Sequence, residues 1–126
     1  MNDITIDRER LWSSLQKLGE IGETDDGAMV RVTGSPADAA ARDTVVSWFE
    51  DAGMNVTVDA VGNIKARLPG TTDEDPVMTG SHIDTVPHGG KFDGVVGVLA
   101  PLEVVRAWND AGITPERPLD IVVFTE

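Results

Sequence analysis

The residues with the clearest capacity for chemistry lie in one short stretch, residues 80–100, which reads GSHIDTVPHGGKFDGVVGVLA. This stretch contains both histidines of the chain and two aspartates. His82 and Asp84 are two apart on a predicted strand and so face the same side, where the carboxylate could accept a hydrogen bond from the imidazole N–H. Because the chain has no cysteine, any metal here would be held by imidazole and carboxylate groups.

A second carboxylate could reach the same place. Asp93 lies just before a predicted helix, and the glycine-rich loop 87–94 could let it fold back toward His82 and bridge two metal ions. Both features also have ordinary structural explanations, because His-x-Asp is a common pattern and an aspartate before a helix is usually an N-cap. His88, flanked by proline and glycine, is interpreted as an exposed turn residue and is left out of the site.

Three amphipathic helices are predicted to support this stretch. Apolar residues at helical spacing place them over residues 7–19, 36–52 and 95–111. Ser35 is expected to cap the second helix, and Pro101 to kink the third or leave it irregular. The positions expected to be buried are Leu11, Trp12, Leu15, Leu18, Ala41, Val45, Trp48, Phe49, Ala52, Val95, Leu99, Leu102, Val105 and Trp108. The first two tryptophans are therefore interpreted as core residues and not as a ligand platform.

Four strands are predicted between and after these helices. Alternating residues favour a hairpin of strands 54–59 and 63–68, and a third strand is predicted over 77–84. Residues 119–124 are interpreted as a continuous apolar strand, which is typical of the middle of a sheet covered on both faces by helices. Residues 23–34 are predicted to form a loop. The fold class is therefore α/β.

The composition excludes several classes of partner. The 126 residues suffice for one domain, or part of one. The formal net charge of −12 argues against nucleic acid or an anionic membrane as a partner. No apolar run approaches the length of a membrane span, and the amino terminus lacks the apolar segment of a secretory signal, so a cytoplasmic protein is expected.

The glycine-rich loop 87–94, with its pattern Pro-x-Gly-Gly-x-Phe-Asp-Gly, resembles that of the hydantoinase/carbamoylase branch of the M20-type metallopeptidase family. This branch contains N-carbamoyl-L-amino acid hydrolases and allantoate amidohydrolases. Other members of the wider family separate the ligand histidine from the bridging aspartate by a much longer insertion. Further similarity is found at residues 27–31, 40–43, 59–63 and 122–126.

The resemblance implies a dinuclear metal centre. By that resemblance His82 binds one metal, Asp93 bridges two and Asp84 orients His82, with zinc, or manganese in some relatives, as the ion. Glu126 matches only the first position of an acidic run in the family and is given no catalytic role. The general base, the remaining ligands and the substrate-binding residues would lie beyond residue 126, so the chain alone is expected to be inactive.

The architecture implied by the resemblance is the amino-terminal part of a zinc-peptidase-like catalytic domain, with a central mixed sheet flanked by helices. Residues 1–126 would form this partial domain, while the rest of the domain and a lid domain that forms a homodimer would lie outside it. The implied reaction is hydrolysis of a linear amide C–N bond in a small-molecule substrate, an N-carbamoyl-L-amino acid or an allantoate-type ureido compound. Two alternatives stay open: a dipeptidase or aminopeptidase of the wider family, and a non-catalytic binding module if the chain ends at residue 126.

The acidity of the chain suggests adaptation to high salt, because aspartate outnumbers glutamate, lysine is scarcer than arginine and the charges are scattered. An ordinary acidic enzyme is the alternative. Since salt screens the self-repulsion of a dense carboxylate surface, we expect the melting temperature to rise from low to molar salt. A thermal unfolding series in sodium chloride measures this, and a flat response would contradict the hypothesis.

Overall fold

The computed structural model describes residues 4–125 and contains three helices and four strands in the predicted order. Along the chain these are α1 (Arg8–Leu18), α2 (Pro36–Asp51), β1 (Asn55–Val58), β2 (Ile64–Leu68), β3 (Val77–Ser81), α3 (Val96–Ala111) and β4 (Leu119–Val123). No helix within residues 4–125 is long and apolar enough to cross a bilayer.

The helix ends follow local capping signals. Asp7 accepts a hydrogen bond from the backbone N–H of Arg10, and the Ser35 hydroxyl accepts one from the N–H of Asp38. The α3 helix ends at Gly112, which adopts a left-handed conformation with φ of 69°. It continues through Pro101 without interruption, so of the two predicted effects of this proline the irregular helix is wrong, and a kink stays a prediction. Burial of the apolar face of α3 offsets the one backbone hydrogen bond that proline cannot donate.

The four strands form one mixed sheet in the order β1-β2-β4-β3, as predicted for the fold class. The β1–β2 hairpin is antiparallel, β2 pairs antiparallel with β4, and β3 runs parallel to β4. The β4 strand is buried along its whole length, which confirms its predicted central position. Because β3 and β4 are parallel, their carboxyl ends meet at the same edge of the sheet.

Helices α2 and α3 pack on one face of this sheet, α1 packs on α3, and all three share one core with the sheet. Its members include Leu18, Ala41, Val45, Phe49, Ile64, Ala66, Leu99, Leu102, Val105, Ile121 and Val123. The opposite face carries Lys65, Arg67, Asp120 and Val122, the alternating residues of β2 and β4. The sequence predicted helices on both faces of the sheet. Within residues 4–125, helices cover only one of its two faces.

One residue that was predicted to lie in the core is exposed. Trp12 is 54% exposed, whereas Leu15 and Leu18 of the same helix are buried. The helical period places residues 11, 15 and 18 on one face and turns residue 12 about 100° away from it. Trp12 instead stacks against Phe92, with ring centroids 5.8 Å apart. Trp48 does pack against the core, as predicted.

The sequence pattern predicted that β4 is apolar throughout, and this prediction is wrong. Asp120 is fully buried within it and accepts two hydrogen bonds from Arg67 of β2, at 2.7 and 2.8 Å. This pairing raises the pKa of Arg67 above its ordinary value. A second buried carboxylate, Glu103 of α3, accepts bonds from Arg10 of α1 at 2.8 and 2.7 Å. Two ion pairs therefore join elements that are distant in sequence.

Replacement of Asp120 tests the contribution of the first of these pairs. We expect Asp120→Asn to lower the free energy of unfolding by about 2 kcal/mol. This value lies between the typical contributions of exposed and of fully buried ion pairs, because the Arg67 side chain is partly exposed. Urea unfolding of the full-length protein measures the change. Asp43→Asn, on the exposed side of α2, removes the same charge and is the matched control. Equal losses in the two variants would show that the pair contributes nothing.

Candidate metal centre

The strand that leads into the site is shorter than predicted. The β3 strand ends at Ser81, so His82 and Asp84 lie in the segment that follows it and not in the strand itself. The segment leaves the sheet because its backbone pairs elsewhere: the N–H of Thr85 donates to the carbonyl oxygen of Arg31 over 2.7 Å. The turn after β3 therefore decides where the two side chains point.

Asp84 orients His82, but through its backbone. The Nδ1 atom of His82 lies 2.9 Å from the carbonyl oxygen of Asp84 and 3.5 Å from its carboxylate oxygen Oδ1. The prediction that the carboxylate accepts this hydrogen bond is therefore wrong, and the carbonyl accepts it instead. The other carboxylate oxygen accepts a bond from the hydroxyl of Thr33 at 2.9 Å. Because a carbonyl can only accept, the neutral imidazole in this position carries its proton on Nδ1 and has its lone pair on Nε2.

Asp93 folds back toward His82, as predicted. Its Oδ1 atom lies 4.0 Å from Nε2 of His82, and its side chain is 68% exposed. The ordinary explanation, a helix cap, does not apply, because the N-cap of α3 is Val95 and that end has no side-chain capping bond. Gly94 has φ of +78°, and a Cβ atom on it would lie less than 3.0 Å from the His82 ring. Only glycine therefore permits this approach of the loop to the imidazole.

These side chains line a cleft of about 390 Å³ at the carboxyl ends of β3 and β4. Its lining residues are His82, Asp84, Thr85, Val86, Asp93, Phe124 and Thr125. The position agrees with the expectation that an open α/β sheet binds ligands beyond the carboxyl ends of its strands. Glu126, the acidic residue named from the sequence, lies outside the described residues.

The donor set fits a divalent metal ion. Two nitrogen or oxygen ligands of one tetrahedral zinc ion lie about 3.4 Å apart, so Nε2 and Oδ1, at 4.0 Å, would need to approach by about 0.6 Å to share an ion. Imidazole and carboxylate suit zinc and manganese alike. Among residues 4–125, no group of three or more histidine, cysteine or acidic side chains is placed to hold an ion. His82 and Asp93 would thus be two of a larger set of ligands.

His88 lies apart from this arrangement. It adopts φ of 58°, which is unusual for a residue other than glycine, and its side chain is exposed. It is not among the residues that line the cleft, in agreement with its interpretation as a turn residue.

Sequence patterns missed the support that residues 23–34 provide. This segment was predicted to be a loop, and it is irregular, but Met29 pairs with Gly89 through two backbone hydrogen bonds of 3.0 and 2.8 Å. The Arg31 side chain is fully buried beside the segment that carries His82. The one signal in the sequence was an arginine within the otherwise apolar run from Ala28 to Val32.

Comparison with known proteins identifies the family to which the chain is similar. The model of peptidase family M28 matches residues 63–126. The crystal structure of a hydantoinase/carbamoylase family amidase from Burkholderia ambifaria superposes with a TM-score of 0.95 at 50% identity, covering 98% of this chain and 31% of that one. The predicted hydantoinase/carbamoylase resemblance is thereby confirmed. The family model that matches is that of peptidase family M28, whereas the sequence suggested an M20-type family.

Curated relatives agree with this result. An N-carbamoyl-L-amino-acid amidohydrolase of Pseudomonas sp. (strain NS671) is 45% identical over 127 residues, which cover 100% of this chain and 31% of the relative. A ureidoglycolate hydrolase of Arabidopsis thaliana is 36% identical over 125 residues, which cover 98% of this chain and 26% of the relative. The chain thus spans only 26–31% of the length of these two curated relatives.

The fit of Gly94 against His82 can be tested directly. We expect Gly94→Ala to lower the free energy of unfolding of the full-length protein by about 2 kcal/mol, because the added methyl group is strained at positive φ and collides with the imidazole. Gly90→Ala is the control in the same loop, since no atom lies within 4 Å of its Cβ position. Equal melting curves for the two variants would contradict the close packing of the loop on His82.

Proposed function

Because the chain belongs to peptidase family M28, we propose that the protein containing it is a metal-dependent amidohydrolase of linear carbamoyl or ureido compounds. The observation that carries this proposal is the pair formed by Nε2 of His82 and the carboxylate of Asp93, 4.0 Å apart at the mouth of a cleft. The names of the relatives supply the reaction class, hydrolysis of an amide C–N bond.

The geometry supports a role for each of three described residues. His82 would bind a metal ion through Nε2, since the carbonyl oxygen of Asp84 holds the proton on Nδ1. Asp93 would offer one carboxylate oxygen to each of two ions. When bound, the ions would acidify a water molecule and polarise the scissile carbonyl group. The general base would come from outside the described residues.

The substrate class within this proposal rests on the degree of similarity. The chain is 45% identical to the N-carbamoyl-L-amino-acid amidohydrolase and 36% identical to the ureidoglycolate hydrolase. N-carbamoyl-L-amino acids are therefore the first substrates to assay, and ureido acids the second. The same proposal includes two bound ions of zinc, or of manganese in its place. It also includes a homodimer formed through a further domain and a cytoplasmic location.

Removal of metal tests the reaction. We expect dialysis of the full-length protein against a chelator to abolish hydrolysis of N-carbamoyl-L-amino acids, and added zinc or manganese to restore it. Release of ammonia or of the free amino acid measures the rate. His82→Ala and Asp93→Ala should each lower kcat/KM by a factor of at least about 100, since each removes a metal ligand.

His88→Asn is the matched control for these variants. It replaces an exposed histidine near the site by a residue that tolerates positive φ, so hydrolysis should stay unchanged. Activity that survives exhaustive chelation would overturn the metal dependence. Hydrolysis of dipeptides in place of carbamoyl compounds would favour a peptidase, and binding without turnover would favour a non-catalytic module.

A further inference from the structure

The most deeply buried cation of the described residues lies directly behind the proposed metal centre. Arg31 is fully buried and is the largest of the fully buried side chains. Its guanidinium donates from Nε to the carbonyl oxygen of Ile83 over 2.7 Å, and from Nη1 to the carbonyl oxygens of Leu18 and Ile21 over 2.8 Å each. The side chain therefore ties the residue after His82 to the end of α1.

The backbone of Arg31 holds the same segment a second time. Its N–H donates to the hydroxyl of Thr85 over 2.8 Å, and its carbonyl oxygen accepts from the N–H of Thr85 over 2.7 Å. Together with the bond to Ile83, Arg31 forms three hydrogen bonds with the residues on either side of Asp84, two as donor and one as acceptor. The carbonyl of Asp84 is the group that orients His82.

The neighbours of Arg31 hold the loop that carries Asp93. Met29 pairs with Gly89 through two backbone hydrogen bonds, at 3.0 and 2.8 Å. Farther along the loop, Lys91 forms an ion pair with Glu23. Residues 29–31, which we term the bracket segment, thus contact both the His82 side and the Asp93 side of the cleft.

Stability alone is a weak reason for an arginine at this position. Its partners are three neutral carbonyl groups, and Nη2 has no partner within the described part of the chain. Burial lowers the pKa of Arg31 below its ordinary value, and the charges of Asp38 and Asp84 oppose that effect only in part. Neutral acceptors offset the desolvation of a cation incompletely. What the planar guanidinium adds is a fixed geometry between two segments of backbone.

We propose that Arg31 is a positioning residue, and that the bracket segment sets the separation of His82 and Asp93 for metal binding. This inference rests on the function proposed above. If the bond to Ile83 is lost, the turn around Asp84 is free to move, and Nδ1 of His82 loses its fixed acceptor. The affinity for metal then falls even though no ligand has been changed.

The affinity of the metal-free, full-length protein for zinc tests the proposal, measured by competition with a chromophoric chelator. We expect Arg31→Met to weaken zinc binding about 10- to 100-fold, as for other residues that orient metal ligands. Arg31→Lys keeps the charge but not the planar fork, so it should restore little of the loss. In steady-state assays, kcat should fall while KM for the carbamoyl substrate changes less than threefold.

Arg106→Met is the matched control. Arg106 is a half-buried arginine that donates to Ser14 over 2.8 Å, stacks over Trp48 and lies 4.0 Å from the carboxylate of Glu103, and it does not line the cleft. Its loss should lower the melting temperature and leave the affinity for zinc unchanged. If the Arg31 variants also lose only thermal stability and bind zinc like the wild type, the proposal is wrong.

A second variant covers the case in which the Arg31 variants do not fold. Thr85→Val keeps the shape of the side chain but removes the acceptor for the N–H of Arg31, so zinc binding should weaken several-fold. Unchanged zinc binding in that variant would overturn the role of the bracket segment. A wild-type protein that binds zinc but hydrolyses no carbamoyl or ureido compound would contradict the proposed function alone, whereas one that binds no zinc would overturn both.

Discussion

The candidate site depends on one hydrogen bond, which His82 donates from Nδ1 to the carbonyl oxygen of Asp84 over 2.9 Å. A neutral imidazole carries one ring proton, so holding it on Nδ1 leaves the Nε2 lone pair directed at Asp93. The bond joins residues two apart and forms only because the chain turns immediately after β3. Arg31 stabilises that turn through its hydrogen bond to the carbonyl oxygen of Ile83. Gly94 packs against the imidazole ring.

Charged side chains in the interior play a related part elsewhere in the fold. Glu103 joins α3 to Arg10 of α1, and Asp120 joins β4 to Arg67 of β2. Each pair connects elements that are distant along the chain. A shifted packing or register would leave a buried carboxylate without its partner, at a large cost in free energy. These pairs therefore favour one arrangement of the helices and strands, and with it one position for the strand ends that carry the site.

Much of the fold follows from local patterns. The ends of α2, the β1–β2 hairpin and the buried β4 strand agree with the sequence because caps, alternation and apolar runs act over a few residues. The errors have identifiable causes. Trp12 is apolar, but the helical period turns it about 100° from the buried stripe, and it packs on Phe92 instead. Asp120 interrupts an apolar strand because a cross-strand arginine neutralises it.

The sequence by itself determined the α/β class, the order of the elements, and the choice of His82, Asp84 and Asp93 as the residues of interest, because residue types and their spacing are local properties. Only the tertiary structure decided that the backbone of Asp84, and not its carboxylate, orients His82. It also revealed the buried Arg31 behind the site. These two features depend on contacts between the turn after β3 and a segment more than fifty residues earlier in the chain. The periodicity of a sequence contains no information about contacts between segments so far apart.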